Sequence, residues 1–195
     1  MAFYIKFAFI AFCFVVALLS YFICHSKRDW AWLVGGMGFT LGADYFLILH
    51  DSHLLGVFMF CFVHVCYMLR VLSERLKWWE LLLLFLLGAG VIFAASFWLF
   101  VLVGLYGLLF GMDIVVNIWF YKYKDARLPK LNRGLVLAGL VLFMLCDINV
   151  LIFNLPRYFD LPVGLAQVFP LIWVFYLPSQ GLLAVSGVKW KHVKG

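Results

Sequence analysis

The chain reads as long apolar runs separated by short polar gaps. Charge-poor stretches fall at 2–24, 30–49, 54–72, 78–95, 97–121, 134–153 and 163–185. Runs of roughly 17–25 apolar residues, rising about 1.5 Å per residue as helices, cross a hydrocarbon core of about 30 Å. Residues 78–121 form one continuous apolar stretch, too long for a single span, and we divide it near Ala95–Ser96. No run alternates apolar and polar positions as the wall of a membrane barrel must. The pattern predicts an all-α, polytopic bundle of seven transmembrane helices forming a single domain over residues 1–195. The run at 2–24 is too long for the core of a signal peptide, and no small-x-small cleavage site follows it, so it counts as the first span.

Composition agrees. The chain is 67% hydrophobic and 12% charged, with a mean hydropathy of +1.09, whereas soluble domains are nearer half apolar and a quarter charged. One small core cannot hide that much apolar surface, so lipid must serve as solvent. The net charge of +6 raises the question of nucleic acid. Its distribution answers no, because the basic residues sit in gaps between apolar runs and form no stripe interleaved with aromatics. Taken alternately, the gaps on one side hold Lys27, Arg28, Arg70, Arg75, Lys77, Lys122, Lys124, Arg127, Lys130, Arg133, Lys189, Lys191 and Lys194. The other side holds Lys6 and Arg157. The positive-inside rule makes the first side cytoplasmic, the N-terminus external and the protein a multi-pass resident of the cell membrane. An even number of spans would scramble this asymmetry. Cys13, Cys24, Cys61, Cys66 and Cys146 form no Cys-x-x-Cys pair and read as small buried apolar residues. Gly38 with Gly42, Gly88 with Gly90, and Gly107 with Gly111 read as sites of close helix packing.

The informative residues are the polar ones inside the runs: Asp44, Asp113, Asp147, His64, Asn117, Asn149 and Gln180. An aspartate at the centre of a spanning helix costs at least about 2.5–3.5 kcal/mol, so such groups face a polar interior and mark function. Asp44 lies about 7–8 Å below the outer end of its run and Asp147 about 9 Å below the outer end of its own. Two carboxylates therefore sit at matched depth on two parallel helices. His64 falls near mid-membrane, and Asp113 and Gln180 deeper. Two carboxylates sharing a low-dielectric site cannot both ionise easily, which leaves one acid and one base. That pairing suits acid/base hydrolysis through an oxocarbenium-like transition state. Asp113 has Asn117 one helical turn on as a ready partner. His50, Asp51 and His53 crowd one turn, and with Asp44 and His64 they could be metal ligands. The short turn and the depth of His64 argue against that, so no metal is expected. There is no Gly-x-Ser-x-Gly elbow, phosphate loop or dinucleotide fingerprint, and no cofactor is expected.

The stretch from Gly38 through Ala43-Asp44 to Leu47, followed by Gly56 through His64-Val-Cys-Tyr67, resembles the YhhN family of lysoplasmalogenases. Leu142 through Cys146-Asp147, with Asn149 or Asn154 after it, resembles the family's second aspartate motif, and Tyr176-Leu-Pro-Ser-Gln180 its closing Tyr-x-x-x-Gln. The resemblance implies a membrane hydrolase that cleaves the vinyl ether of a lysoplasmalogen, a lysophospholipid, into a fatty aldehyde and a glycerophospho-headgroup. It implies Asp44 and Asp147 as the catalytic pair, with His64, Tyr67, Tyr176 and Gln180 in the substrate pocket. On the residue reading, Asp113 joins the pocket, and Tyr67 or His64 orients the pair. Family members commonly carry eight spans, so the missing one would lie at the N-terminus. The lipid is expected to enter sideways between helices. The alternatives are a small-solute transporter, with spans one to three and five to seven as parallel repeats around the fourth, and a noncatalytic lipid-binding protein.

Overall fold

The computed structural model describes residues 2–73, 75–122, 128–154 and 169–190. Among them every regular element is helical, apart from one isolated bridge between Cys24 and Val188. The helices are α1 (Ala2–Leu19), α2 (Lys27–Asp44), α3 (His53–Leu72), α4 (Trp78–Ala95), α5 (Leu99–Lys122), α6 (Lys130–Asn154) and α7 (Phe169–Val185). A 3-10 turn at Ser20–Ile23 extends α1, and a π-helical turn at Tyr45–Leu49 extends α2. With these extensions, α1 to α6 are long and apolar enough to cross a membrane; α7 has 17 residues and is shorter. The expected beginning of the last span, 163–168, lies outside the described residues. The division of 78–121 falls where expected: α4 ends at Ala95, and Ser96 caps the turn by donating to the Phe93 carbonyl (2.7 Å).

Two helices begin earlier than the apolar pattern indicates, for the same reason. α2 starts at Lys27 rather than 30, with Ser26 as its N-cap accepting from the Asp29 amide. α6 starts at Lys130 rather than 134. Polar residues taken for loop belong to first helical turns whose side chains are used internally. Arg133 donates to the carbonyls of Phe120 and Tyr121 at the end of α5 (2.7 and 3.1 Å). Those carbonyls have no intrahelical partner, and a cation there also meets the negative end of the helix dipole.

The closest helix neighbours are α6 with α7, α2 with α3 and α3 with α5; α1 lies against α2 and α7, and α5 against α6. These six form a closed ring, and α4 packs outside it against α3 and α5. α3 is the most buried, interior from Phe60 to Val71 apart from Met68. α4 and α5 are largely exposed, as expected of helices facing lipid, and α5 turns Asp113 and Asn117 inward. Gly139 allows the tight contact of α6 with α7, since a Cβ there would stand 2.8 Å from Leu183 and 3.3 Å from the Ser179 carbonyl oxygen. Of the glycines expected at helix contacts, Gly38 faces Phe14, Gly42 faces Met59 and Gly88 faces Val65. Gly90, Gly107 and Gly111 do not pack on another helix; a Cβ at each would meet open space, because they lie on the lipid faces of α4 and α5.

The end of the bundle rich in basic residues is closed by a buried ion pair that the charge pattern concealed. Arg70 donates from Nε and Nη2 to the two carboxylate oxygens of Asp29 (2.5 and 3.0 Å) and from Nη1 to the Ser186 hydroxyl (2.7 Å). Asn132 Nδ2 donates to the carbonyls of Ser186 and Val188, both at 2.7 Å. Arg70, counted by sequence only for its side of the membrane, is 3% exposed and ties α2, α3 and the end of α7 together. Removing one member of a buried pair strands the other charge, at a cost of about 3–5 kcal/mol. Arg70→Met should therefore lower the unfolding temperature in detergent markedly, and adding Asp29→Leu should recover much of the loss. Full additivity in that double-mutant cycle would refute the coupling. For orientation, a fluorescent reporter fused after Gly195 should be active in the cytoplasm; activity only when exported would invert the topology.

Candidate active site

Asp44 ends the regular part of α2, where the winding loosens into the π-helical turn. Such turns recur at functional sites because they re-aim one residue without ending the helix. Asp44 is 3% exposed and accepts a hydrogen bond from the Tyr176 hydroxyl of α7 at 2.6 Å. Asp147, partly buried on α6, accepts from the Tyr106 hydroxyl of α5. Neither carboxylate forms an ion pair among the described residues. Each acid is thus held by a tyrosine from another helix, and Cys146, next to Asp147 in the chain, is buried.

The walls around them are aromatic. Phe143 lies 5.6 Å from Tyr176 and 5.5 Å from Phe60, ring centre to ring centre. His64 stacks on Phe110 at 4.2 Å and lies 5.3 Å from Tyr106 and 5.7 Å from Phe143. Beneath this layer is a second polar group. His64 Nδ1 donates to Asp113 Oδ2 at 3.0 Å, and Asn117 Nδ2 donates to Asp113 Oδ1 at 2.8 Å. With Nδ1 committed to the carboxylate, Nε2 is the free ring nitrogen; it is buried with no hydrogen-bond partner on the protein. Gln180 is fully buried one turn below Tyr176 on α7, and neither its Oε1 nor its Nε2 has a protein partner.

The structure therefore gathers Asp44, Asp147, Tyr176 and His64 around one aromatic interior, with Asp113 behind His64. Other expected residues stand apart. Tyr67 is fully buried, but its hydroxyl donates to the Met37 sulfur at 3.3 Å and does not reach either catalytic candidate. The side chains that hold the two acids are Tyr176 and Tyr106, not Tyr67 or His64. Asn149 and Asn154 return their amides to carbonyls one turn back on their own helix, Leu145 and Val150 (2.7 and 2.8 Å). At the α2–α3 turn, His50 pairs with the Tyr45 hydroxyl at 2.8 Å, and His53 lies 3.7 Å from Asp51. Two open apolar grooves, one over Gly134 and Val141 and one over Gly107 and Gly111, lie on the outer surface away from the carboxylates.

Tyr106 was missed by sequence reasoning. A signal for Tyr106 existed: it lies about 10 Å below the start of α5, at the depth inferred for Asp147. A hydroxyl in an otherwise apolar helix at the level of a buried acid is a candidate partner for it.

A family model, that of the YhhN family, matches residues 1–187 of the chain. The chain belongs to the YhhN family. No curated protein and no solved structure matches it.

Chemically, this YhhN member has two carboxyl groups with hydroxyl donors and, among the described residues, no compensating cation, beside apolar walls. Such an arrangement can hold a proton on one acid while leaving the other as acceptor. A buried amide without partners costs roughly 1–3 kcal/mol. Gln180→Met, which keeps the volume and removes the polar atoms, should accordingly raise the unfolding temperature. A fall would show that the amide is bonded and serves structure alone.

Proposed function

We propose that this protein is a lysoplasmalogenase-like hydrolase that cleaves the vinyl ether of a lysoplasmalogen. The observation that carries the proposal is the pair Asp44 and Asp147: one buried and one partly buried acid without ion-pair partners among the described residues, each accepting a hydrogen bond from a tyrosine that borders the aromatic cluster of Phe60, Phe110 and Phe143. YhhN membership supports it, since the family includes lysoplasmalogenases.

The reaction needs what such a pair can supply. A protonated carboxyl group transfers its proton to the outer carbon of the C=C bond, and the remaining cation is shared between the inner carbon and the ether oxygen. The facing carboxylate stabilises that cation and takes a proton from the attacking water. The resulting hemiacetal collapses to a fatty aldehyde and the glycerol hydroxyl, and the two acids exchange the proton needed to restore the starting state. Phe60, Phe110 and Phe143 offer an apolar bed for the chain, and His64, held by Asp113, offers a polar atom below it. Tyr106 and Tyr176 hold the carboxyl oxygens in place while the proton moves.

Purified protein incubated with lysoplasmalogen should release aldehyde, with none from an acyl lysophospholipid. Asp44→Asn and Asp147→Asn should each abolish release while leaving thermal unfolding nearly unchanged. Tyr176→Phe and Tyr106→Phe should each lower turnover about ten- to a hundredfold, the worth of one hydrogen bond to a charged group. Undiminished turnover in both aspartate variants would refute the assignment.

A further inference from the structure

Two residues on α5 fix the direction of one ring on α3. Asn117 Nδ2 donates both to the Asp113 backbone carbonyl (2.9 Å) and to Asp113 Oδ1 (2.8 Å), which locks the carboxylate in place. The other carboxylate oxygen, Oδ2, takes the Nδ1–H of His64 at 3.0 Å. All three side chains are buried. With the ring proton on Nδ1, Nε2 can only accept. It is buried and meets no donor on the protein. An unanswered buried acceptor destabilises the fold. A ring held this firmly with its acceptor unanswered points to a donor that arrives with the reaction.

The position of the ring singles out one of the two acids. His64 lies 5.3 Å from Tyr106, ring centre to ring centre, and stacks on Phe110, one turn further along α5, at 4.2 Å. Tyr106 is the residue whose hydroxyl bonds Asp147 Oδ2. Among the described residues no other donor reaches Asp147, so its Oδ1 is left to accept. Tyr176, the donor to Asp44, is joined to His64 through Phe143, which lies 5.7 Å from the imidazole and 5.6 Å from the Tyr176 ring. Asp147 is also the less enclosed acid, partly exposed where Asp44 is 3% exposed. Two acceptors, His64 Nε2 and Asp147 Oδ1, thus belong to residues that border the same tyrosine. Water has two O–H donors, and it needs at least two polar partners to stay in an apolar interior. Held through both hydrogens, it turns a lone pair away from its partners, as a nucleophile must.

We propose that His64 and Asp147 together hold the attacking water, that Asp113 and Asn117 are the positioning residues that keep Nε2 an acceptor, and that Asp44 is the proton donor. The proposal rests on the hydrolase reading of Asp44 and Asp147 and divides the roles between them. The Asp44 proton bonds to the outer alkene carbon through the C=C electron pair, leaving the cation on the inner carbon and the ether oxygen. The water oxygen then bonds to the inner carbon and gives one proton to Asp147. Its other hydrogen stays bonded to oxygen and points at His64 Nε2. As the hemiacetal collapses, its C–O bond to glycerol breaks and Asp147 gives its proton to the glycerol oxygen. Asp44 takes the proton of the hemiacetal hydroxyl, which restores both acids.

The test follows deuterium, with the full chain in detergent and 1-alkenyl-glycerophosphoethanolamine in heavy water. Capture of the cation by water competes with its return to the alkene, and return leaves deuterium on the outer carbon of recovered substrate. The wild type should release aldehyde with little deuterium in what remains. In Asp113→Asn the new amide still accepts from Asn117 and donates to His64 Nδ1, which moves the ring proton to Nε2. Its kcat should fall about a hundredfold with KM little changed, and deuterium in recovered substrate should rise well above the wild-type level. His64→Phe, which keeps the aromatic packing, should do the same. Asp147→Asn should exchange deuterium without releasing aldehyde, and Asp44→Asn should do neither. Exchange in Asp44→Asn but not in Asp147→Asn would overturn the division of roles. Slower turnover in Asp113→Asn and His64→Phe without exchange would mark His64 as merely structural and overturn the water site. A second measurement needs no turnover. Nitrogen-15 NMR of histidine-labelled protein, with His64 assigned by its loss in His64→Phe, should place the proton on Nδ1 in the wild type and on Nε2 in Asp113→Asn. A wild-type proton on Nε2 would overturn the proposal. A proton on Nδ1 with no aldehyde release would uphold the role of Asp113 and Asn117 and defeat the hydrolase reading. Aldehyde release at undiminished rate in Asp113→Asn and His64→Phe would do the reverse.

Discussion

A carboxyl group placed in hydrocarbon must be answered by another polar group, because no water is available to answer it. At Asp44 and Asp147 the answer is a tyrosine hydroxyl rather than a cation. In the proposed mechanism that choice lets the acids exchange protons, whereas a lysine or arginine partner would hold each as a fixed anion. It also ties the bundle together, since one bond joins α2 to α7 and the other joins α5 to α6.

The opposite end of the molecule solves the same problem in the opposite way. Asp29 is met by a full guanidinium, with Ser186 and Asn132 completing the network. A paired, fully hydrogen-bonded ion pair of this kind favours one arrangement of helices. Between the two ends, the His64–Asp113–Asn117 group is intermediate: its carboxylate is well satisfied, but one imidazole nitrogen is not. Buried polar atoms without a partner occur at both ends, Asn132 Oδ1 and the Trp32 indole near the ion pair, and His64 Nε2, Gln180 and the Trp173 indole elsewhere. Gln180 and Trp173 are both on α7, which also carries Tyr176, the donor to Asp44.

Much of this was legible in the residues alone. The positions of seven helices follow from where charges interrupt apolar runs, and the structure shifts most boundaries by a few residues. Asp44 and Asp147 could be singled out because a charge in a spanning helix is costly, and their matched depth follows from the helical rise. Tyr106 was not legible, because an interfacial or interior tyrosine is common and only its neighbour makes it notable. The buried role of Arg70 was not legible, because its position at a helix end fits both a surface and a buried role. Asn149 and Asn154 look like site residues by sequence order, yet each amide finds the carbonyl one turn back on its own helix.

The sequence by itself determined that this chain lives in lipid, where its helices run, and which residues pay the desolvation cost of a buried charge. These are properties of single segments, governed by helix length, hydropathy and charge. Only the tertiary structure decided which side chains answer those charges: Tyr176 for Asp44, Tyr106 for Asp147, Asp113 for His64 and Arg70 for Asp29. Each pair joins residues 41 or more apart in the chain. The rotation of one helix against another selects these partners, and that rotation depends on the fit of all the side chains between them.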